Sequence, residues 1–136
     1  IRPSLYASGR EQEALDLVER CRAGESLPAR DARRALPGRE QFAAAWRCLE
    51  RVLPPEGRTV AYLPALRALA SEIGGAEPFL RSALCLEVFR DRGLLTMERE
   101  GDAVTLVLQR DRRASLDDAP LVAALKQSME RGGGTL

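Results

Sequence analysis

Leu94-Leu95-Thr96-Met97-Glu98-Arg99-Glu100-Gly101-Asp102-Ala103-Val104-Thr105-Leu106-Val107-Leu108 is the stretch that decides the architecture. Two apolar-rich runs, Leu94 to Arg99 and Ala103 to Leu108, flank Gly101-Asp102. Glycine at the first central position of a two-residue connection favours a type II′ turn, whose twist matches that of the strands it joins. The resulting register pairs Leu95 with Leu108 and Met97 with Leu106 on one face. On the other it pairs Thr96 with Val107 and Glu98 with Thr105. One apolar and one mixed face is the pattern of a hairpin covered on one side.

Before the hairpin, Pro78 opens a helix through Phe79, Leu80, Ala83, Leu84, Val88 and Phe89 to Gly93, a left-handed cap. Pro64 opens another, with Leu66, Leu69, Ala70 and Ile73, stopped by Gly74-Gly75. Arg58-Thr59-Val60-Ala61-Tyr62 is short and β-leaning. Upstream, Pro37 is placed to sit in a first helical turn, where its missing N–H costs nothing. That helix carries Phe42, Ala45, Trp46, Leu49, Val52 and Leu53 at helical spacing and ends at Pro54-Pro55. Ser8-Gly9 opens a first helix with Leu15, Val18 and Cys21 on one stripe, closed by Ala23-Gly24, and an arginine-rich segment runs from Pro28 to Leu36. After the hairpin, a last helix starts near Asp117-Asp118, with Leu121, Leu125 and Met129 on a stripe. Gly132-Gly133-Gly134 reads as a disordered tail.

The expected fold is mainly α with a small β-hairpin, an α+β class. From Pro37 the order helix, strand, helix, helix, strand, strand is that of a winged helix, with the hairpin as wing and Pro78 to Arg92 in the position of a recognition helix. Residues 1–36 are then bracing helices or a linker, 37–131 the winged-helix-like domain, and 132–136 the tail.

Length and composition set the bounds. The chain has 136 residues, 45% of them apolar and 30% charged, which fits one domain with one core. Net charge is +1 from 21 basic and 20 acidic residues, so no global field draws in nucleic acid, and a charged partner must meet a local patch. Lys126 is the one lysine; the other basic residues are arginines, whose planar forks suit carboxylates and phosphates. The chain starts at Ile1, shows no signal-peptide pattern and has no apolar run of membrane-spanning length, which reads as a piece of a longer cytoplasmic protein. Three widely spaced cysteines, Cys21, Cys48 and Cys85, read as buried free thiols in a reducing compartment.

The chemistry is read mainly by exclusion. The chain has no histidine, so histidine-based triads, imidazole acid–base work and histidine metal ligands are out. It holds no Cys-x-x-Cys pair for zinc and no glycine-rich phosphate loop before a helix. Asp117-Asp118 reads as helix capping and Glu98, Glu100 and Asp102 as solvated turn charges. Catalytic, metal and cofactor residues are therefore expected to be none, and the chain is read as a non-catalytic binding domain. Its expected recognition helix offers Glu77, Arg81, Ser82, Glu87, Arg90, Asp91 and Arg92 to solvent, a balanced set that suits phosphates poorly. Two basic clusters lie beside apolar residues: Arg30, Arg33 and Arg34 near Leu27 and Leu36, and Arg110, Arg112 and Arg113 near Leu108 and Leu116. Arginine beside an apolar cleft is what a short acidic peptide with a hydrophobic tip needs. Rival readings are a nucleic-acid-binding winged-helix regulator domain and a cap that buries a face of a parent enzyme.

Two segments carry a resemblance. Pro37-Gly38-Arg39-Glu40-Gln41-Phe42, followed by Trp46 and Leu49, resembles the opening of the C-terminal accessory domain of some bacterial RecJ exonucleases, Pro-x-Arg-Glu-x-Phe and then an aromatic. Leu86-Glu87-Val88-Phe89-Arg90-Asp91-Arg92-Gly93-Leu94-Leu95 is similar to that family's Lys-Val-Phe-x-Glu-Leu-Gly-Leu-Leu-like segment. It departs at Glu87, where Lys is usual, and at Asp91-Arg92, where Glu-Leu is usual. The resemblance covers residues 37–126, about two-thirds of the chain. RecJ is a 5′-to-3′ single-stranded-DNA exonuclease whose catalytic Asp and His motifs are not in this sequence. The resemblance thus implies a terminal accessory domain that recruits repair partners, notably the acidic, Phe-ended tail of single-stranded DNA-binding protein.

Overall fold

The structure is a computed structural model that describes residues 7–134, and for 132–134 the backbone alone. Among the described residues, six helices and three strands follow in the order α1 (Gly9–Arg22), α2 (Ala29–Ala35), α3 (Arg39–Val52), β1 (Arg58–Ala61), α4 (Tyr62–Ile73), α5 (Pro78–Asp91), β2 (Leu95–Glu100), β3 (Ala103–Leu108) and α6 (Pro120–Gly134). The class is α+β: helices dominate, with one small antiparallel sheet.

The hairpin has the register its sequence dictates, with Leu95 opposite Leu108 and Met97 opposite Leu106. Gly101 takes φ 62° and Asp102 does not share a positive φ, as a type II′ turn requires. Leu95, Met97, Val104, Leu106 and Leu108 are buried, while Thr96 and Glu98 are exposed. The sheet order is β1-β3-β2, because β1 pairs antiparallel with β3. Thr59 and Thr105 meet across that pair, hydroxyl to hydroxyl at 2.8 Å.

Helix ends follow local chemistry. Ser8 caps α1: its hydroxyl accepts from the Glu11 amide (3.3 Å), and the Glu11 carboxylate accepts from the Ser8 amide (3.0 Å), a reciprocal capping box. At α3 the start differs from expectation. Pro37 lies outside the helix, and Gly38 is the N-cap. With no side chain at Gly38 only the return bond exists, from the Gly38 amide to Gln41 Oε1 at 3.0 Å. Helix α4 opens at Tyr62, two residues before the expected Pro64. The first helical amides need no intrahelical partner, so proline is tolerated in this turn; the Tyr62 amide instead donates to the Asp102 carbonyl at the hairpin turn (2.8 Å). Helix α6 starts at Pro120, after a turn in which the Ala119 amide donates to the Leu116 carbonyl (3.2 Å), rather than at Asp117-Asp118. It continues to Gly134, so residues 132–134 are helical where a disordered tail was expected; residues 135–136 lie outside the described ones.

Helix α5 is the centre of the core. Residues 82–89 are all buried, and α1, α2, α3, α4, α6 and β2 pack around it. The reading that left Ser82 and Glu87 exposed is corrected: Ser82 is 0% and Glu87 3% exposed. The reason lies in α1 and α2, which cover surface that a bare three-helix core would leave open. The Cys21, Cys48 and Cys85 thiols are free and buried.

Candidate functional site

A groove of about 920 Å³ opens between α3, α6 and the irregular stretch 109–119. Its floor is aromatic and aliphatic: Phe42, Trp46, Phe89, Leu94, Leu116 and Val122, with Leu36 and Pro37 at one side. Trp46 stands edge-on to Phe89, with centroids 5.6 Å apart and planes at 82°, and Phe42 tilts against the same ring at 6.1 Å. These contacts fix the half-buried indole in place. The rim is cationic. Arg39, Arg110, Arg112, Arg113 and Lys126 line it against only Glu50 and Asp117, a strong local excess on a chain of net charge +1.

The cations differ in how committed they are. Arg110 Nη2 donates to the Glu50 carbonyl (2.7 Å) and the Leu53 carbonyl (2.6 Å). Those carbonyls end α3, so Arg110 caps that helix at the negative end of its dipole. Lys126 Nζ lies 3.7 Å from Asp117 Oδ1. Arg112 lies against the backbone of Gly93, where an added Cβ would come within 2.5 Å of its Nη1. Arg39, Arg112 and Arg113 form no ion pair with a described residue.

The two arginine clusters therefore part company. Arg110, Arg112, Arg113 and Leu116 line the groove together. Leu108, named with them from the sequence, is in the core at 4% exposure and contributes no surface. Arg30, Arg33 and Arg34 do not line the groove. Arg34 is spent on Glu77 (3.1 Å) and Asp31 (3.5 Å). The carbonyls of Arg33 and Arg34 accept from Arg81 at 2.8 and 3.0 Å, and Arg81 also donates to Gln41 (3.2 Å). That network joins α2, α3 and α5 and is architectural. Of the apolar neighbours of this cluster, Leu27 is buried and Leu36 faces the groove. Sequence reading missed Arg39, Trp46 and Lys126 as site residues. The signal for two of them was present, since Arg39, Ala43, Trp46 and Glu50 fall on one stripe of α3.

Two carboxylates elsewhere are perturbed in opposite directions. Arg67 donates two hydrogen bonds to the Glu11 carboxylate (2.8 and 2.7 Å) and holds its pKa below the ordinary carboxylate range. Burial pushes the Glu87 carboxyl up, and Arg90 (3.2 Å) and Arg22 (3.3 Å) only partly offset that. Those ion pairs are within contact range, yet Glu87 Oε1 has no partner of hydrogen-bonding geometry.

A smaller cavity of about 230 Å³ lies near the hairpin turn, where Arg99 stacks on the Tyr62 ring at 4.1 Å. Among the described residues no group of three or more His, Cys, Asp or Glu is placed to hold a metal ion, and no helix is long and apolar enough to cross a membrane. No family model, no curated protein and no solved structure matches the chain.

Proposed function

We propose that this chain is a non-catalytic docking domain whose groove binds an acidic peptide carrying an apolar side chain. The observation that carries the reading is the groove itself: an ordered aromatic floor rimmed by Arg39, Arg112 and Arg113, all uncommitted among the described residues. Guanidinium groups beside an apolar floor pair with carboxylates while the floor buries the ligand's hydrophobic part.

The fuller form of the proposal places the domain at the terminus of a cytoplasmic RecJ-type exonuclease in DNA repair, docking the acidic tail of single-stranded DNA-binding protein. It rests on the two motif resemblances, and the groove supports it in kind, because that tail is acidic and ends in Phe. In the same proposal the architecture is a winged helix with α1, α2 and α6 added, β2 and β3 forming the wing. Element order and the antiparallel sheet support that description.

The nucleic-acid reading requires α5 to enter a DNA groove, and the burial of residues 82–89 speaks against that use of the helix.

Calorimetric titration with an acidic peptide ending in Pro-Phe tests the proposal. Saturable binding is expected, lost on reversing charge at Arg112 and Arg113 and retained on reversing Arg30 and Arg33. Heat that is absent, or that responds only to the second pair of substitutions, would remove the groove from consideration.

A further inference from the structure

We propose that Asp117 is a built-in competitor for the acidic partner: it occupies Lys126 in the free domain and yields when a partner carboxylate enters the groove. The inference rests on the docking reading above and specifies how that site is tuned. Both residues line the groove, with Nζ and Oδ1 3.7 Å apart. Their side chains are 50% and 68% exposed, so water screens the pair and exchanging it is cheap. The two members differ in their freedom. Lys126 is carried on α6, whereas Asp117 sits in the irregular stretch between β3 and α6, tied locally by the Ala119–Leu116 turn.

The rest of the rim makes this pair the adjustable element. Arg110 is locked onto the α3 carbonyls and cannot be released without uncapping that helix. Arg39, Arg112 and Arg113 have no acid to give up among the described residues. Lys126 alone among the groove's cations is held by a groove-lining carboxylate, which imitates the group the ligand brings. Neutralising that carboxylate therefore frees one ammonium group and removes one like charge from the ligand's path.

The test uses the full chain and an Asp-rich peptide carrying a single aromatic side chain. Asp117→Asn is expected to bind about two- to fivefold more tightly than the unsubstituted chain at low salt, the size of effect an exposed ion pair carries. Asp118→Asn makes the same change in net charge next door, on a residue that does not line the groove, and is expected to tighten binding by less. Lys126→Gln is expected to weaken binding more in the Asp117→Asn background than alone, because only there is the ammonium free; that non-additivity is the signature of competition. If the unsubstituted chain binds and Asp117→Asn is no tighter than Asp118→Asn, the competitor role is overturned and docking stands. If neither the unsubstituted chain nor Asp117→Asn binds the peptide, the docking reading itself falls and this inference with it.

Discussion

Arg110 and Arg112 are two residues apart and do different work. Arg110 holds the end of α3 through two carbonyls, so Arg110→Ala is expected to lower stability by about 1 kcal/mol, read by chemical denaturation. Arg112 rests on Gly93, which has φ 72° and closes α5 in a Schellman arrangement: the Leu94 amide donates to the Phe89 carbonyl (2.8 Å) and the Gly93 amide to the Arg90 carbonyl (3.0 Å). Gly93→Ala places a side chain in left-handed backbone and displaces the Arg112 guanidinium. It is expected to cost about 1 kcal/mol in thermal denaturation and to weaken peptide binding as well. Such distinctions are invisible in the sequence. Nothing in the order Arg110-Asp111-Arg112-Arg113 says which arginine will meet a helix end. Likewise nothing near Arg34 announces Glu77, 43 residues away. Thiol chemistry is simpler. Burial pushes the Cys21 thiol up to about 11 and raises Cys85 as well, so neither is expected to react with an alkylating reagent until the chain is unfolded.

At the scale of elements, α1 is held at its two ends by charged contacts of opposite pH character. Glu11, gripped by Arg67, titrates below its unfolded value; its contribution is present above the ordinary carboxylate range and is lost as pH falls through the lowered value. Glu87 titrates above its unfolded value, so the folded chain holds its proton longer and stability falls as pH rises through that window. Glu11→Gln is therefore expected to destabilise near neutral pH and to be silent in acid. Glu87→Gln is expected to be neutral or stabilising near neutral pH despite breaking two ion pairs, and denaturation midpoints measured across pH separate the two. The hairpin was the most legible element, because alternation along each strand and the chemistry of a two-residue turn are local properties. Helix α5 was legible in its extent, Pro78 to the left-handed Gly93, and illegible in its burial. It is buried over most of its length, and its enclosed Glu87 carboxylate faces both Arg90, three residues on, and Arg22 on α1, 65 residues earlier, the second of which no local pattern records. Helix starts at Pro37, Pro64 and Asp117 were each misplaced by a few residues, because proline and aspartate favour the neighbourhood of an N-terminus without specifying the residue.

For the whole molecule, the fold places a cationic groove on a nearly neutral chain. Binding there is expected to weaken steadily with added salt while the apolar floor preserves part of it; a purely electrostatic surface would lose nearly all affinity. The groove's assembly from α3, α6 and the 109–119 stretch explains why only part of the site was read in advance. Arg112, Arg113 and Leu116 are neighbours in sequence, but Trp46 and Lys126 reach them only through the packing of α3 and α6 on α5. Trp46 is the single tryptophan, and it lies in the groove, so its fluorescence reports directly on occupancy. Titrating the full chain with an Asp-rich, aromatic-bearing peptide while following that emission tests the docking claim most directly. The account predicts a saturable spectral shift that Arg112→Glu with Arg113→Glu abolishes; an emission spectrum unmoved by peptide that calorimetry shows to be bound would contradict it.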